Sequence, residues 1–364
     1  MRFQRTSIKS ILSLSLMGAI VALTGCQSQQ AQRQGEAVLQ PVAFSDQQWT
    51  GVAVSSAGRI FVNYPRWSDD VPLSVAELVD GQPRAYPNVA MNQWTPGKDP
   101  ATHFVCVQAV YADGRDALWI LDPANPKFQG VVAGGPKLVQ VDSATNEIVR
   151  TYRFGPDLAL PASYLNDVRI DHQHGYAYMT DSGTGALVVL NLQTGAARRV
   201  LDEHASTSAE GVTLNIGGKP WLRNGQPPQV QADGIAFDAE GDVIYYQALS
   251  GRTMYSVPAA ALRNADLTPA ELAAQVTEVG KTGSSDGLVY APDGHVYITA
   301  LEHDAILRTT PNGVVETVVQ DDAIAWPDTF SLGPDGWLYF TTARIHEGSE
   351  PQDRYGLYRI QLWD

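Results

Sequence analysis

Short runs of alternating apolar and polar residues recur along the chain and predict strands at a period of two. They are organised into a degenerate repeat. A polar residue, often followed by Gly, precedes an apolar-x-apolar triplet, then a turn, then another apolar run. Six copies open at Thr50-Gly51-Val52-Ala53-Val54, Gln108-Ala109-Val110-Tyr111-Ala112, Asn166-Asp167-Val168-Arg169-Ile170, Asp233-Gly234-Ile235-Ala236-Phe237, Asp286-Gly287-Leu288-Val289-Tyr290 and Asp328-Thr329-Phe330-Ser331-Leu332, at spacings of 42 to 67 residues. Four copies carry a clear turn, Ser56-Ala57-Gly58, Ala239-Glu240-Gly241, Pro292-Asp293-Gly294 and Pro334-Asp335-Gly336, each followed by a second apolar strand. Gly supplies the positive φ that such hairpins need.

Six units of short antiparallel strands predict an all-β fold, a six-bladed β-propeller. Helical pattern is confined to residues 73–79 and 258–272, which argues against α/β and all-α folds. The last strand, around Tyr355-Gly356-Leu357-Tyr358-Arg359-Ile360, is expected to share a blade with an N-terminal strand near Trp49, so that the ring closes without an exposed edge.

The first residues break the pattern. Arg2, Arg5 and Lys9 precede an uncharged, mostly apolar run that ends in Leu23-Thr24-Gly25-Cys26, the layout of an export signal. The tetrapeptide resembles the bacterial lipobox, which implies lipidation of Cys26 and removal of residues 1–25. Residues 26–43, rich in Gln, Ala and Ser, are expected to form a flexible tether, and residues 44–364 a single propeller. The expected location is therefore exported and membrane-anchored, as an outer-membrane or periplasmic lipoprotein. The lipid is the only expected membrane contact, and the state is expected to be monomeric.

Loss of residues 1–25 removes three basic charges and no acidic ones, taking the formal net charge from −14 to −17. That balance disfavours nucleic acid and anionic membrane surfaces as partners. Cys106 is the one cysteine besides Cys26, so no intramolecular disulfide is available to the mature chain, and its apolar surroundings predict a buried structural thiol.

Residues from about Phe61 to Glu210 carry six ordered motifs: Phe61-Val62-Asn63-Tyr64-Pro65-Arg66-Trp67 with Val71-Pro72-Leu73; Tyr86-Pro87-Asn88; Val107-Gln108-Ala109-Val110 with Leu118-Trp119-Ile120-Leu121-Asp122; Pro136-Lys137-Leu138; Leu165-Asn166-Asp167-Val168-Arg169-Ile170-Asp171; and Tyr178-Met179-Thr180-Asp181. Together they resemble the major royal jelly protein/yellow family. The resemblance implies a six-bladed propeller, in agreement with the count of repeats. It does not fix one activity, because the family includes pigment-pathway proteins, binders of biogenic amines and nutritive proteins. Where insect members commonly place Cys before Pro-Lys-Leu, this chain has Gly134-Gly135-Pro136.

Aligning the repeats puts Thr50, Gln108, Asn166, Asp233, Asp286 and Asp328 in one column at the start of the inner strands, where propeller symmetry gathers them around the axis. Asn166, Asp233, Asp286 and Asp328 are candidate ligands for a hard cation such as Ca²⁺. Lactonases of the gluconolactonase and paraoxonase type look similar in this respect, although Thr50 stands where they add an acidic ligand. The equal alternative is that each Asp caps its loop. A second ring, at the ends of the following strands, contains Asn63, Asp122, Asp181, Gln247, Thr299 and Thr341. Asp122 and Asp181 are candidate partners for a cationic amine, with Tyr64, Trp67 and Trp326 as aromatic faces. His103, Glu302, His303 and Arg344 are candidate catalytic groups, whereas His172, His174 and His295 look solvated. Zinc-protease, nucleophile-elbow, Walker and dinucleotide motifs are absent from the sequence, so no nucleotide or organic cofactor is expected.

The leading expectation is a small-molecule binder, with an aromatic or amine ligand at the channel mouth. The alternative is a Ca²⁺-dependent lactonase or a dopachrome-type isomerase working at the axis. A third possibility is a surface interaction protein that uses residues 68–100 and 203–231.

Overall fold

The computed structural model describes residues 37–348 and 351–362. Cys26 and the expected signal and tether up to residue 36 lie outside the described residues. Six four-stranded antiparallel sheets form the blades. Their inner strands are Val52–Val54, Ala109–Ala112, Leu165–Asp171, Ala232–Asp238, Leu288–Tyr290 and Pro327–Leu332, in blades 1 to 6. Each inner strand packs against that of the next blade, and the sixth packs against the first, so the chain is a closed six-bladed propeller. No described helix is long and apolar enough to cross a membrane.

Closure uses the two ends of the described chain. Gln40–Ser45 pairs antiparallel with Tyr355–Gln361, which pairs with Trp337–Thr342 in blade 6. The N-terminal strand therefore lies ahead of Trp49, and ordered structure starts before Phe44. Trp49 instead fills the core between blades 6 and 1 with Tyr64, Val71 and Leu357. Residues 73–79 form a strand, Val75–Val79, because the run pairs in register with both Ile60–Asn63 and Gln82–Ala85. Helix does appear at Ala259–Arg263 and Pro269–Ala273, the second under a Thr268/Glu271 capping box.

The Asp-Gly pairs of the repeat have a packing reason. A Cβ on Gly234 would stand 2.7 Å from the Asp286 carbonyl oxygen, and one on Gly287 would collide with that of Asp328. Glycine thus lets successive inner strands approach closely around the axis. Cys106 is fully buried and free, and burial pushes its thiol up to about 12.

Candidate functional site

At the end of the channel where the inner strands begin, loops from several blades build a small chamber. Its walls include Trp67, Phe128, Tyr164, Trp221 and Trp326, and its floor includes Gln108, Asn166, Asp233 and Asp286. Its volume is about 70 Å³, room for roughly two waters. An outer recess of about 600 Å³ shares Trp67, Phe128, Trp221, Arg223 and Ile345 with the chamber, and adds Asp46, Asp70 and His346.

The rings are held in place by polar contacts. Trp67 Nε1 donates to Tyr164 Oη at 2.7 Å, and that hydroxyl donates to Gln108 Oε1 at 3.0 Å. Phe128 packs between Trp67 and Tyr164, with ring centroids 5.5 and 4.9 Å away. Across the mouth, Trp221 meets Trp326 edge-on at 4.8 Å, and His346 stacks on Trp326 at 5.8 Å. Burial lowers the His346 pKa, so the ring is neutral at neutral pH. Arg223 stands where chamber and recess meet, its guanidinium carbon 5.4 Å from the Trp221 ring and 5.7 Å from the Phe128 ring.

Two of the walls are held in a backbone conformation that bulky residues rarely adopt. Phe128 has φ 56° and Trp326 φ 53°. Such outliers persist only where the surroundings enforce them, and they cluster at binding sites. For Trp326 the outcome is visible: the indole Nε1 donates to Asp286 Oδ2 at 2.7 Å.

The floor is short of donors. Asp233, Asp286 and Asp328 are buried, and burial is the leading cause that raises all three carboxyls. Mutual repulsion adds to it for Asp233 and Asp328. Asp286 rises only to about 6, because Trp326 and the adjoining Asp233 carboxyl donate to it. Asp233 is pushed well above the usual carboxylate range, so near neutral pH it is the protonated partner and Asp286 the ionised one. Asp328 Oδ1 accepts from Thr329 at 3.1 Å, whereas its buried Oδ2 has no partner.

Oxygen donors of this kind suit a hard cation. Among the described residues, three carboxylate or imidazole donors within 4.8 Å of one another occur only at Asp171, His174 and Asp242, away from this chamber. Arg263 already neutralises that cluster, at 3.0 Å from Asp171 and 2.7 Å from Asp242. The axial carboxylates are spread more widely, so a cation on the axis would also need an amide oxygen such as that of Asn166.

The other residues singled out from sequence are scattered. Trp67 and Trp326 line the chamber, but Tyr64 is buried in the core beside Trp49. Asp122 accepts from the backbone N–H groups of Val105, Cys106 and Ala124 and pairs with buried Lys137 at 2.9 Å. Asp181 accepts from Tyr164 N, Ser163 and Thr184 and pairs with Arg199 at 2.7 Å. Both carboxylates are fully enclosed and saturated, which leaves no face for a ligand amine. Asn63 spans blades 1 and 2 by donating to Val107 O and Gln108 O.

Three of the four candidate catalytic groups are engaged by neighbouring residues. His103 Nδ1 lies 2.9 Å from Asp99 O in an outer loop. Glu302 is paired with Arg252 at 2.8 Å. His303 is exposed, and Arg344 pairs with Glu347 at 2.7 Å. His174 is exposed and His172 and His295 are half-buried, each with a carboxylate nearby, that of Asp171, Asp113 and Asp293 respectively.

Phe128, Tyr164, Trp221, Arg223 and His346 were not anticipated, because they come from loops without periodicity. The segment 203–231 folds over the mouth: its short hairpin, Asn215–Ile216 with Lys219–Pro220, seats Leu214, Ile216 and Trp221 against Leu249, Leu301 and Trp326.

The sequence model of the family described as Major royal jelly protein matches residues 105–330. No curated protein matches the chain at a significant level. Among solved structures, the chain is similar to a gluconolactonase from Xanthomonas campestris, at 13% identity over 92% of both chains with a TM-score of 0.55. It is also similar to a luciferin-regenerating enzyme, at 12% identity over 89% of this chain and 95% of that one, with a TM-score of 0.54. A third is the calcium-binding protein regucalcin from Agrobacterium tumefaciens, at 15% identity over 88% and 95% of the two chains, with a TM-score of 0.51. At these identities the likeness is one of fold.

Proposed function

The chain belongs to the major royal jelly protein family, and we propose that it binds the amine group of a small aromatic compound in the chamber at the channel mouth. The observation that carries this reading is Asp286, a buried carboxylate with a pKa of about 6, set beneath the aromatic walls. A single negative charge at the bottom of a ring-lined pocket attracts a cation electrostatically, and the ring faces add to the attraction. The small chamber suits an ammonium and its first carbon, and the recess above it suits the rest of the molecule. Arg223, lying over Phe128 and Trp221, occupies the entry and would be displaced on binding.

Calorimetric titration with tryptamine tests this. Saturable one-to-one binding is expected, with indole, which lacks the amine, binding at least about tenfold more weakly. Equal binding of the two would overturn the reading. We further propose that the mature protein is exported and held at the membrane by lipid on Cys26.

The partnerless Asp328 Oδ2 favours a second reading, in which Asn166, Asp233, Asp286 and Asp328 hold Ca²⁺. When bound there, such a cation would polarise the carbonyl of a lactone. Near-stoichiometric calcium in the dialysed protein, and a Tm lowered by chelator, are its expected signs. Absence of both would reject it.

A further inference from the structure

The channel has a second mouth, where the inner strands end. There a recess of about 390 Å³ is lined by Tyr111, Phe237, Tyr290 and Phe330, and by Arg169. We propose that this recess is a second binding site, one that takes a small aromatic carboxylate.

Arg169 belongs to the inner strand of blade 3 and is only 5% exposed. Its guanidinium lies over the Tyr111 ring, 5.2 Å from the centroid. Nη1 donates to Val168 O at 2.7 Å, and Nη2 donates to Leu288 O at 2.6 Å and to Asp167 Oδ2 at 3.3 Å. Nε is buried without a partner. A guanidinium has five N–H donors and keeps its proton in proteins, so Nε–H stays a donor at every accessible pH. A buried donor left unmet has lost its water without a replacement. Only an acceptor relieves that loss, and a charged acceptor does so best.

Three other polar residues of the recess are already engaged. Ser331 Oγ accepts from Val54 N at 2.9 Å, and Ser55 Oγ accepts from Arg59 N at 3.1 Å. Asp113 accepts from Trp119 Nε1 and from the N–H groups of Arg115 and Ala117, and it pairs with His172. The unmet donor thus belongs to a guanidinium that lines the recess and has Asp167, at 3.3 Å, as its countercharge, and the walls around it are aromatic. The volume lies within the range of pockets that enclose small ligands. This site stands apart from the upper chamber: one end of the channel presents a carboxylate, the other a guanidinium.

The test is calorimetric titration with benzoate, benzamide and benzylamine, repeated on Arg169→Met and Val289→Trp. Val289 lines the recess and is half-buried, so the larger side chain takes up its space while Arg169 itself is kept. Benzoate is expected to bind at least about tenfold more tightly than benzamide. Its binding should be lost in both variants and should persist when benzylamine is present in excess. Equal affinity for benzoate and benzamide, competition by benzylamine, or undiminished benzoate binding in folded Val289→Trp would each overturn the proposal. Should Arg169→Met fail to fold, Val289→Trp alone decides.

Discussion

Asp181 in blade 3 and Asp286 in blade 5 are both shut away from bulk water, and their surroundings are opposite. Burial pushes the Asp181 carboxyl up, but Ser163, Arg199 and the Tyr164 N–H donate to it and hold it below the usual carboxylate range. Asp286 meets Trp326 and a neighbouring carboxyl, with no cation bonded to it, and its pKa rises to about 6. Asp122, with Lys137 and three backbone N–H groups, belongs with Asp181. Asp233 and Asp328 belong with Asp286. Burial of a carboxylate therefore does not distinguish a strut from a site. The distinction lies in whether the protein itself supplies the donors and the countercharge.

The most severe way to probe this contrast is Asp181→Ala. It leaves Arg199, whose side chain is 6% exposed, with only the half-exposed Asp202 as countercharge and strands the Tyr164 N–H, and should cost about 3 kcal/mol, read as a lowered urea midpoint. A folded variant with wild-type stability and no amine binding would instead return Asp181 to the ligand contacts.

Asp286→Asn should act in the opposite direction. The folded pKa of about 6 exceeds the unfolded value of about 3.9, so the fold favours the protonated form. The stability contributed by that preference is fully present below the unfolded value and is lost as pH rises through about 6. The amide avoids the loss. A gain of roughly 1–3 kcal/mol is expected above that pH, shrinking to nothing near pH ~4, where the native carboxyl is also neutral. Amine affinity should fall at least about tenfold in the same variant.

The smallest effect needs no substitution. Affinity for tryptamine should decline as pH falls through about 6, where Asp286 takes up its proton. A titration flat between pH ~5 and ~8 would remove Asp286 from the binding site.

The repeat made the architecture legible, since each of its six copies overlaps the inner strand of one blade. The same periodicity placed Asp233, Asp286 and Asp328 together at the axis. It could not separate them from Asp122 and Asp181, because the donors that saturate the latter come from backbone N–H groups and from distant residues such as Lys137 and Arg199. The aromatic walls were half legible. Trp67 lies in a recognisable motif, whereas Phe128, Tyr164 and Trp221 sit in irregular loops that follow no period. The left-handed backbone of Phe128 and Trp326 has no sequence signature at all, since neither position carries Gly or Asn.

The pairing of Gln40–Ser45 with Tyr355–Gln361 also sets a timetable. A chain is made from its N-terminus, so its first strand emerges long before the strand it must lie against. Blades 1 to 5 draw on consecutive segments and can assemble as they emerge, but the ring cannot be sealed until residue 361 has appeared. Until then Gln40–Ser45 is an unpaired edge, and whatever keeps it from neighbouring chains protects the whole molecule during that wait.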